Sequence, residues 1–157
     1  MTVFGVTGHR SVEQEPGELL QFARLSVARM QEAGATEIIT GMALGWDMAV
    51  AEACRVLEVP YCAAIPFTGQ DAHWRPEDRL RHWHLVQEAA RIHVACPLPL
   101  NHAYIVRDKW IVNNSEQLWA LDSGRPSGSH TTVLYADERG RKVVPLWDDW
   151  IRFRAER

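Results

Sequence analysis

Short apolar runs alternate with longer amphipathic stretches along this chain, and that alternation constrains the fold more than any other feature. Val3 to Val6, Glu37 to Thr40, Tyr61 to Ile65, Arg91 to Ala95, Gln117 to Leu121 and Lys142 to Leu146 read as strands. Between them, helical patterns run from about Pro16 to Ala33, Asp47 to Leu57, Ala103 to Asn114 and Thr131 to Glu138. The stretch from Asp71 to Ala90 is polar first and helical later. In the first helix Leu19, Leu20, Phe22, Ala23, Leu25, Val27 and Met30 supply the apolar positions, and Gly34 stands where a helix stop belongs. The strands are apolar throughout instead of alternating with polar residues, so both of their faces need cover. A three-layer α/β Rossmann-like fold follows, with a mostly parallel sheet and helices on both faces. At 157 residues with no linker or repeat, one domain over residues 1–157 is expected.

Composition narrows the function. A net charge of -3 argues against a broad electrostatic footprint for nucleic acid, so a nucleic-acid partner is not expected. Cys54, Cys62 and Cys96 are odd in number and lack Cys-x-x-Cys spacing. They fit reduced thiols in the cytoplasm better than a disulfide framework or a zinc site. No apolar run approaches the roughly 18 residues of a membrane helix, and no signal-peptide layout opens the chain, so no membrane partner is expected.

In open parallel sheets a ligand sits beyond the carboxyl ends of the strands, where the strand order reverses. Four loops qualify: Thr7 to Arg10, Gly41 to Asp47, Pro66 to Trp74 and Asp122 to Thr132. The second is the most pointed. Gly41-Met42-Ala43-Leu44-Gly45-Trp46-Asp47 joins a strand to a helix, where backbone N–H groups and the positive end of a helix dipole suit an anion. Its spacing matches neither a Walker A loop nor Gly-x-Gly-x-x-Gly. Ser127-Gly128-Ser129-His130-Thr131-Thr132 offers a second cradle of glycine and hydroxyls before a helix. Arg10, after Thr7, Gly8 and His9, has the side chain for a bidentate grip on phosphate or carboxylate.

Plainer roles compete with these. Capping of free N–H groups alone would explain Asp47, and Ser127 or Ser129 would do the same for the later helix. Glu52 reads as a solvated or packed residue. Arg10 could be a surface side chain beside a turn glycine. His82 and His84 point to different sides of a helix, the other histidines are scattered, and no metal or cofactor is expected. Most of the seven tryptophans read as packing residues, while Trp46 and Trp74, just after strand ends, are the two suited to base stacking. Trp147, Trp150, Ile151 and Phe153 form either a homodimer patch or a surface that packs back on the same chain.

These segments resemble the SLOG superfamily, which joins the Rossmann domain of DNA-processing protein A and the Lonely-guy phosphoribohydrolases. The likeness is strongest to small stand-alone bacterial and phage members of mostly unknown function. It is carried by Val6 to Arg10, Gly41 to Asp47, Ile65-Pro66-Phe67 with Gln70 and Trp74, Arg107-Asp108, and Ser127 to Val133, and spans about residues 2–146. It implies a nucleotide-derived ligand, with Gly41 and Gly45 in one cradle, Gly128, Ser129 and Thr132 in the other, and Arg10 facing the same cleft. The phosphoribohydrolases carry Pro-Gly-Gly-x-Gly-Thr-x-x-Glu; this chain lacks that glutamate, and Ser129 stands where threonine is commoner.

The ligand-binding set expected is therefore Thr7, Gly8, His9, Arg10, Gly41, Ala43, Gly45, Asp47, Pro66, Phe67, Trp74, Asp122, Gly128, Ser129 and Thr132. Three functions are in contention. One is a module that binds a nucleotide-like small molecule and passes that state on. Another is an enzyme at a glycosidic bond, for which Asp47 and Asp108 form the preferred carboxylate pair. The third is single-stranded DNA handling, which the net charge disfavours.

Overall fold

The strand and helix patterns close into one six-stranded sheet in a computed structural model that describes residues 1–157. In chain order the elements are β1 (Val3–Gly8), α1 (Glu18–Glu32), β2 (Glu37–Thr40), α2 (Trp46–Leu57), β3 (Tyr61–Ile65), α3 (Pro76–Glu88), β4 (Arg91–Val94), α4 (Ala103–Asn113), β5 (Gln117–Leu121), α5 (Gly128–Glu138), β6 (Lys142–Pro145) and α6 (Trp147–Ala155). Every strand pair is parallel, in the order β4-β3-β2-β1-β5-β6. The chain moves outward from β1 to β4, then returns to place β5 on the other side of β1. The switch point lies between β1 and β5.

The two halves of this path put their helices on opposite faces, as crossovers of one hand require. One face holds the larger core, where Leu19, Phe22 and Met30 of α1 meet Trp46, Met48 and Val50 of α2, Leu85 of α3 and Trp150 of α6. The other face holds a smaller core, in which Ile111 and Val112 of α4 and Ala136 of α5 cover Ile39, Cys62 and Leu118. β2 and β3 are buried along their whole length, which explains their unbroken apolar sequence.

Two boundaries differ from the sequence expectation in ways that bear on the site. β1 runs on through Gly8, because Thr7 and Gly8 pair with Ala120 and Leu121 of β5. α5 begins at Gly128 instead of Thr131, because the Ser127 hydroxyl accepts the His130 N–H and caps the helix there. The tail forms α6, an element the sequence pattern did not announce. Trp150 is fully buried, with its ring 5.3 Å from Phe22. Packing back on the chain is thus the use this structure makes of Trp150, while Ile151 stays exposed. Trp150→Ala should cost about 3–5 kcal/mol, the usual range for emptying a large aromatic site. Urea denaturation would read this as a lower midpoint with little change in slope.

Candidate functional site

Beyond the switch point lies a cleft of about 370 Å³, lined by the ends of β1 and α2 on one side and by α4 and α5 on the other. Thr7, Gly8, His9, Arg10, Ala43, Asp47, Gly128 and Ser129 from the expected ligand-binding set line it, as does Asp108 from the expected carboxylate pair. The two glycine-bearing turns that begin α2 and α5 therefore share one rim. Tyr104, Arg107, Arg125, Ser11 and Ser127 complete the lining.

Backbone packing builds the first wall. The Trp46 N–H donates to the His9 carbonyl at 3.2 Å, which binds the start of α2 to the end of β1. Gly45 has φ of 84°, and a Cβ there would be driven into the Arg10 backbone. The glycine is needed for this close approach of two chains. Trp46 itself is fully buried beneath Gly8, so the base-stacking role considered for it is not available to its side chain. The side chain of Asp47 turns inward. Its Oδ2 accepts the Ala43 N–H at 3.4 Å, whereas Oδ1 is buried without a hydrogen-bond partner in the chain. Burial is the main cause that lifts the Asp47 carboxyl to about 7, opposed by the charge of Arg107.

Arg107 comes from α4 and is nearly all buried. Its Nη1 donates to the carbonyls of Gly41 at 2.6 Å and Ala64 at 3.4 Å, and its Nε donates to Asp108 at 2.6 Å. A Cβ on Gly41 would come within 2.8 Å of both Arg107 Nη1 and Asp47 Oδ2, so Gly41 makes room for this junction. Arg10 differs. It is exposed, its guanidinium stands 6.0 Å from the Tyr104 ring centre, and no carboxylate pairs with it. Arg125 is likewise exposed and unpaired. The cleft thus has one arginine committed to the scaffold and two free to meet an anion.

The second wall is the start of α5. The N–H groups of Gly128 and Ser129 find no acceptor in the chain. A Cβ on Gly128 would meet nothing within 4 Å, and Gly128 and Ser129 both line the cleft. His9 braces this wall. Its Nε2 accepts the Ser123 N–H at 2.9 Å, which leaves the proton on Nδ1, 3.1 Å from the Ser129 hydroxyl. Burial, then the nearby Arg125 charge, hold the imidazole below its ordinary value, so it is neutral at pH 7. Asp122 does similar work outside the cleft. It accepts the Gly124 N–H at 3.1 Å and faces His130 Nδ1 at 2.9 Å.

A second groove of about 240 Å³ continues from the cleft between α4 and α5. Tyr104, Asp108 and Gly128 belong to both spaces, and Ile105, Thr132 and Tyr135 line the groove further out. The Tyr135 hydroxyl is fixed by Asn113 at 3.0 Å, and Lys109 lies 5.2 Å from its ring centre. Thr132 spends its hydroxyl on the Gly128 carbonyl at 2.8 Å.

The Pro66–Trp74 loop stands apart from the cleft, because β3 lies two strands from the switch point. Its residues act as support. Gln70 donates to the Gly41 carbonyl at 3.1 Å, His82 pairs with Gln70 at 3.0 Å, and Trp74 packs edge-on against His82. Phe67 meets the Tyr104 ring edge-on at 5.6 Å. Glu52 is paired with Arg81 of α3 at 3.0 Å, away from the cleft. No cluster of side chains suited to a metal ion is present. Tyr104, Arg107 and Asp108 fall at helical spacings of three and four residues, so one helix face delivers all three. Sequence reasoning missed Tyr104 and Arg125; the helical spacing to Arg107 and Asp108 is a signal that could have found Tyr104, and nothing comparable marks Arg125.

Comparison with solved structures agrees with this architecture. DNA processing protein A from Streptococcus pneumoniae superposes with a TM-score of 0.68 at 22% identity, covering 92% of this chain and 50% of that one. The Helicobacter pylori DNA processing protein A, studied for its single-stranded DNA binding mode, gives 0.67 at 19% identity, covering 92% of this chain and 64% of that one. The molybdenum cofactor carrier protein of Chlamydomonas reinhardtii gives 0.61 at 17% identity, with 92% and 76% covered. What these structures share with the chain is the fold, a parallel α/β sheet of the Rossmann-like kind. The chain spans between half and two thirds of the two DNA processing proteins. No protein-family model matches the sequence, and no curated protein does. No helix is long and apolar enough to cross a membrane.

Proposed function

We propose that the cleft binds a nucleotide or nucleotide-derived phosphorylated small molecule, as a sensor or binding module. Its phosphate would meet the free N–H groups of Gly128 and Ser129, with Arg10 and Arg125 completing the charge. The helix dipole and open donors at the start of α5 favour an anion there. The observation that carries this reading is the coincidence, on one rim, of two unspent backbone donors and two unpaired arginines. The adjoining groove, with Tyr104, Ile105 and Tyr135, suits the planar ring of the same ligand. The carrier protein in the comparison carries the molybdenum cofactor by its name, which supports a binding role of this general kind.

The test is a thermal-shift screen against nucleoside phosphates, cyclic nucleotides and ADP-ribose. A ligand that binds only the folded chain at 100 times its Kd adds about 2.7 kcal/mol and raises the melting temperature. Arg10→Ala, at an exposed position with no structural partner, should fold normally and erase the shift. A full shift in that variant would overturn the assignment of the phosphate seat.

One observation favours a second reading, an enzyme at a glycosidic bond. Asp47, with its carboxyl near neutrality, and Asp108 both line the cleft, as an acid and base pair would. Chromatography after incubation with nucleoside monophosphates decides it: released base supports turnover, and none supports binding alone. The single-stranded DNA function of the Helicobacter pylori neighbour makes an oligonucleotide titration a worthwhile third arm.

A further inference from the structure

Asp47 is an unusual residue to find in a seat for anions. A carboxylate facing an incoming phosphate would repel it, and no cation of the chain forms a salt bridge with this one, although Arg107 and Arg10 act on it from further away. Arg107 directs its Nη1 at the Gly41 and Ala64 carbonyls and its Nε at Asp108. Asp47 forms no salt bridge, its side chain is buried, and it lines the cleft. Its Oδ2 has the Ala43 N–H, and Oδ1 has nothing. A buried polar atom without a partner is costly in a finished structure and is a natural contact for a ligand.

We infer that Asp47 meets the ligand as a neutral carboxylic acid, its carboxyl O–H donating to a ligand oxyanion, so that above neutral pH the binding of an anion draws a proton into the cleft. This rests on the reading of the cleft as a phosphate seat and adds to it the state of the residue that completes the seat. The groups that face Asp47 are His9 and Arg10 beyond β1, Arg107 and Asp108 on α4, and Arg125 before α5. Burial favours the uncharged acid in the free protein. A phosphate alongside favours it further, because like charges in a poorly hydrated site cannot both persist. The neutral acid donates where a carboxylate only accepts, and it selects a ligand atom that is acceptor-only, such as a non-bridging phosphate oxygen.

The experiment is calorimetric titration with ADP-ribose, whose phosphates do not titrate near neutrality, and with AMP. Each is run at pH 7.5 in two buffers of different ionisation enthalpy. The expected result is uptake of about three quarters of a proton per ligand at pH 7.5, the fraction of a carboxyl at about 7 that is ionised in the free protein, and affinity that falls toward tenfold per pH unit above neutrality. Asp47→Asn, which keeps a donor but has no proton to gain, should bind with no proton uptake and a flat pH profile. His9 is intact in that variant, so the loss assigns the proton to Asp47. Asp47→Ala, with no donor, should bind about tenfold more weakly or worse at every pH. Binding of ADP-ribose or AMP without proton uptake, or an Asp47→Asn profile parallel to the wild type, overturns this inference alone. Failure of both ligands to bind overturns the nucleotide reading together with it.

Discussion

Arg107→Met should lower the stability of the protein by about 3–5 kcal/mol, the cost of removing one partner from a buried charged network. The methionine keeps much of the arginine's apolar stem, so packing changes little and the loss is electrostatic. The Gly41 carbonyl keeps Gln70, but Ala64 and Asp108 lose the guanidinium that reaches them. The junction binds the carboxyl ends of β2 and β3 to α4, across the core that α4 covers. For a domain of this size the melting temperature should drop by roughly 10 °C, at 2–4 °C per kcal/mol. A drop within experimental error would mean that the network is redundant. Asp47 would respond as well: with the opposing charge gone, its carboxyl should rise further.

The second large effect is the pH dependence of stability without any ligand. The Asp47 carboxyl is raised from 3.8 to about 7 by burial. A raised acid makes the folded state bind the proton more tightly than the unfolded state does. Its contribution is complete at pH values below the unfolded-state value and is lost as pH climbs to the folded-state value. Across that window of about three units, at 1.36 kcal/mol per unit, the loss is on the order of 4 kcal/mol. Asp47→Asn removes the proton from the account. Its melting temperature should therefore fall less than that of the wild type between pH 4 and pH 8, and should exceed the wild type's at pH 8. Parallel curves for the two proteins would show that Asp47 is ionised and hydrated in the folded state.

Much of the fold was legible because burial on both faces leaves its mark on each central strand separately, while the edge strands β4 and β6 are largely exposed. Tyr61 to Ile65 and Gln117 to Leu121 coincide with β3 and β5, since a covered strand must be apolar wherever it is buried, and the polar Gln117 stands at the half-buried end of β5. The start of α2 was legible for a related reason: Gly45 followed by Asp47 is how a strand-to-helix turn is commonly built. What escaped the sequence depends on non-local contact. α6 is polar and charged apart from three aromatics, an isoleucine and a closing alanine, and only the groove between α1 and the sheet turns Trp150 into a core residue. Trp46 reads as a stacking residue until Gly8 is seen above it. The Pro66–Trp74 loop carries the right residue types, but strand order moves it away from the cleft and leaves it bracing Gly41 through Gln70. Gly41 and Gly45 are required by neighbouring side chains and backbone, which is a firmer reason for glycine than a turn alone.

Where the phosphorus atom of a bound nucleotide lies decides the matter most directly. A crystal structure of the protein soaked with AMP should show a phosphate oxygen within 3.2 Å of the Gly128 and Ser129 N–H groups, with Arg10 turned toward it, a distance set by ordinary hydrogen-bond geometry. A phosphate held elsewhere on the molecule, with the start of α5 untouched, would contradict the account.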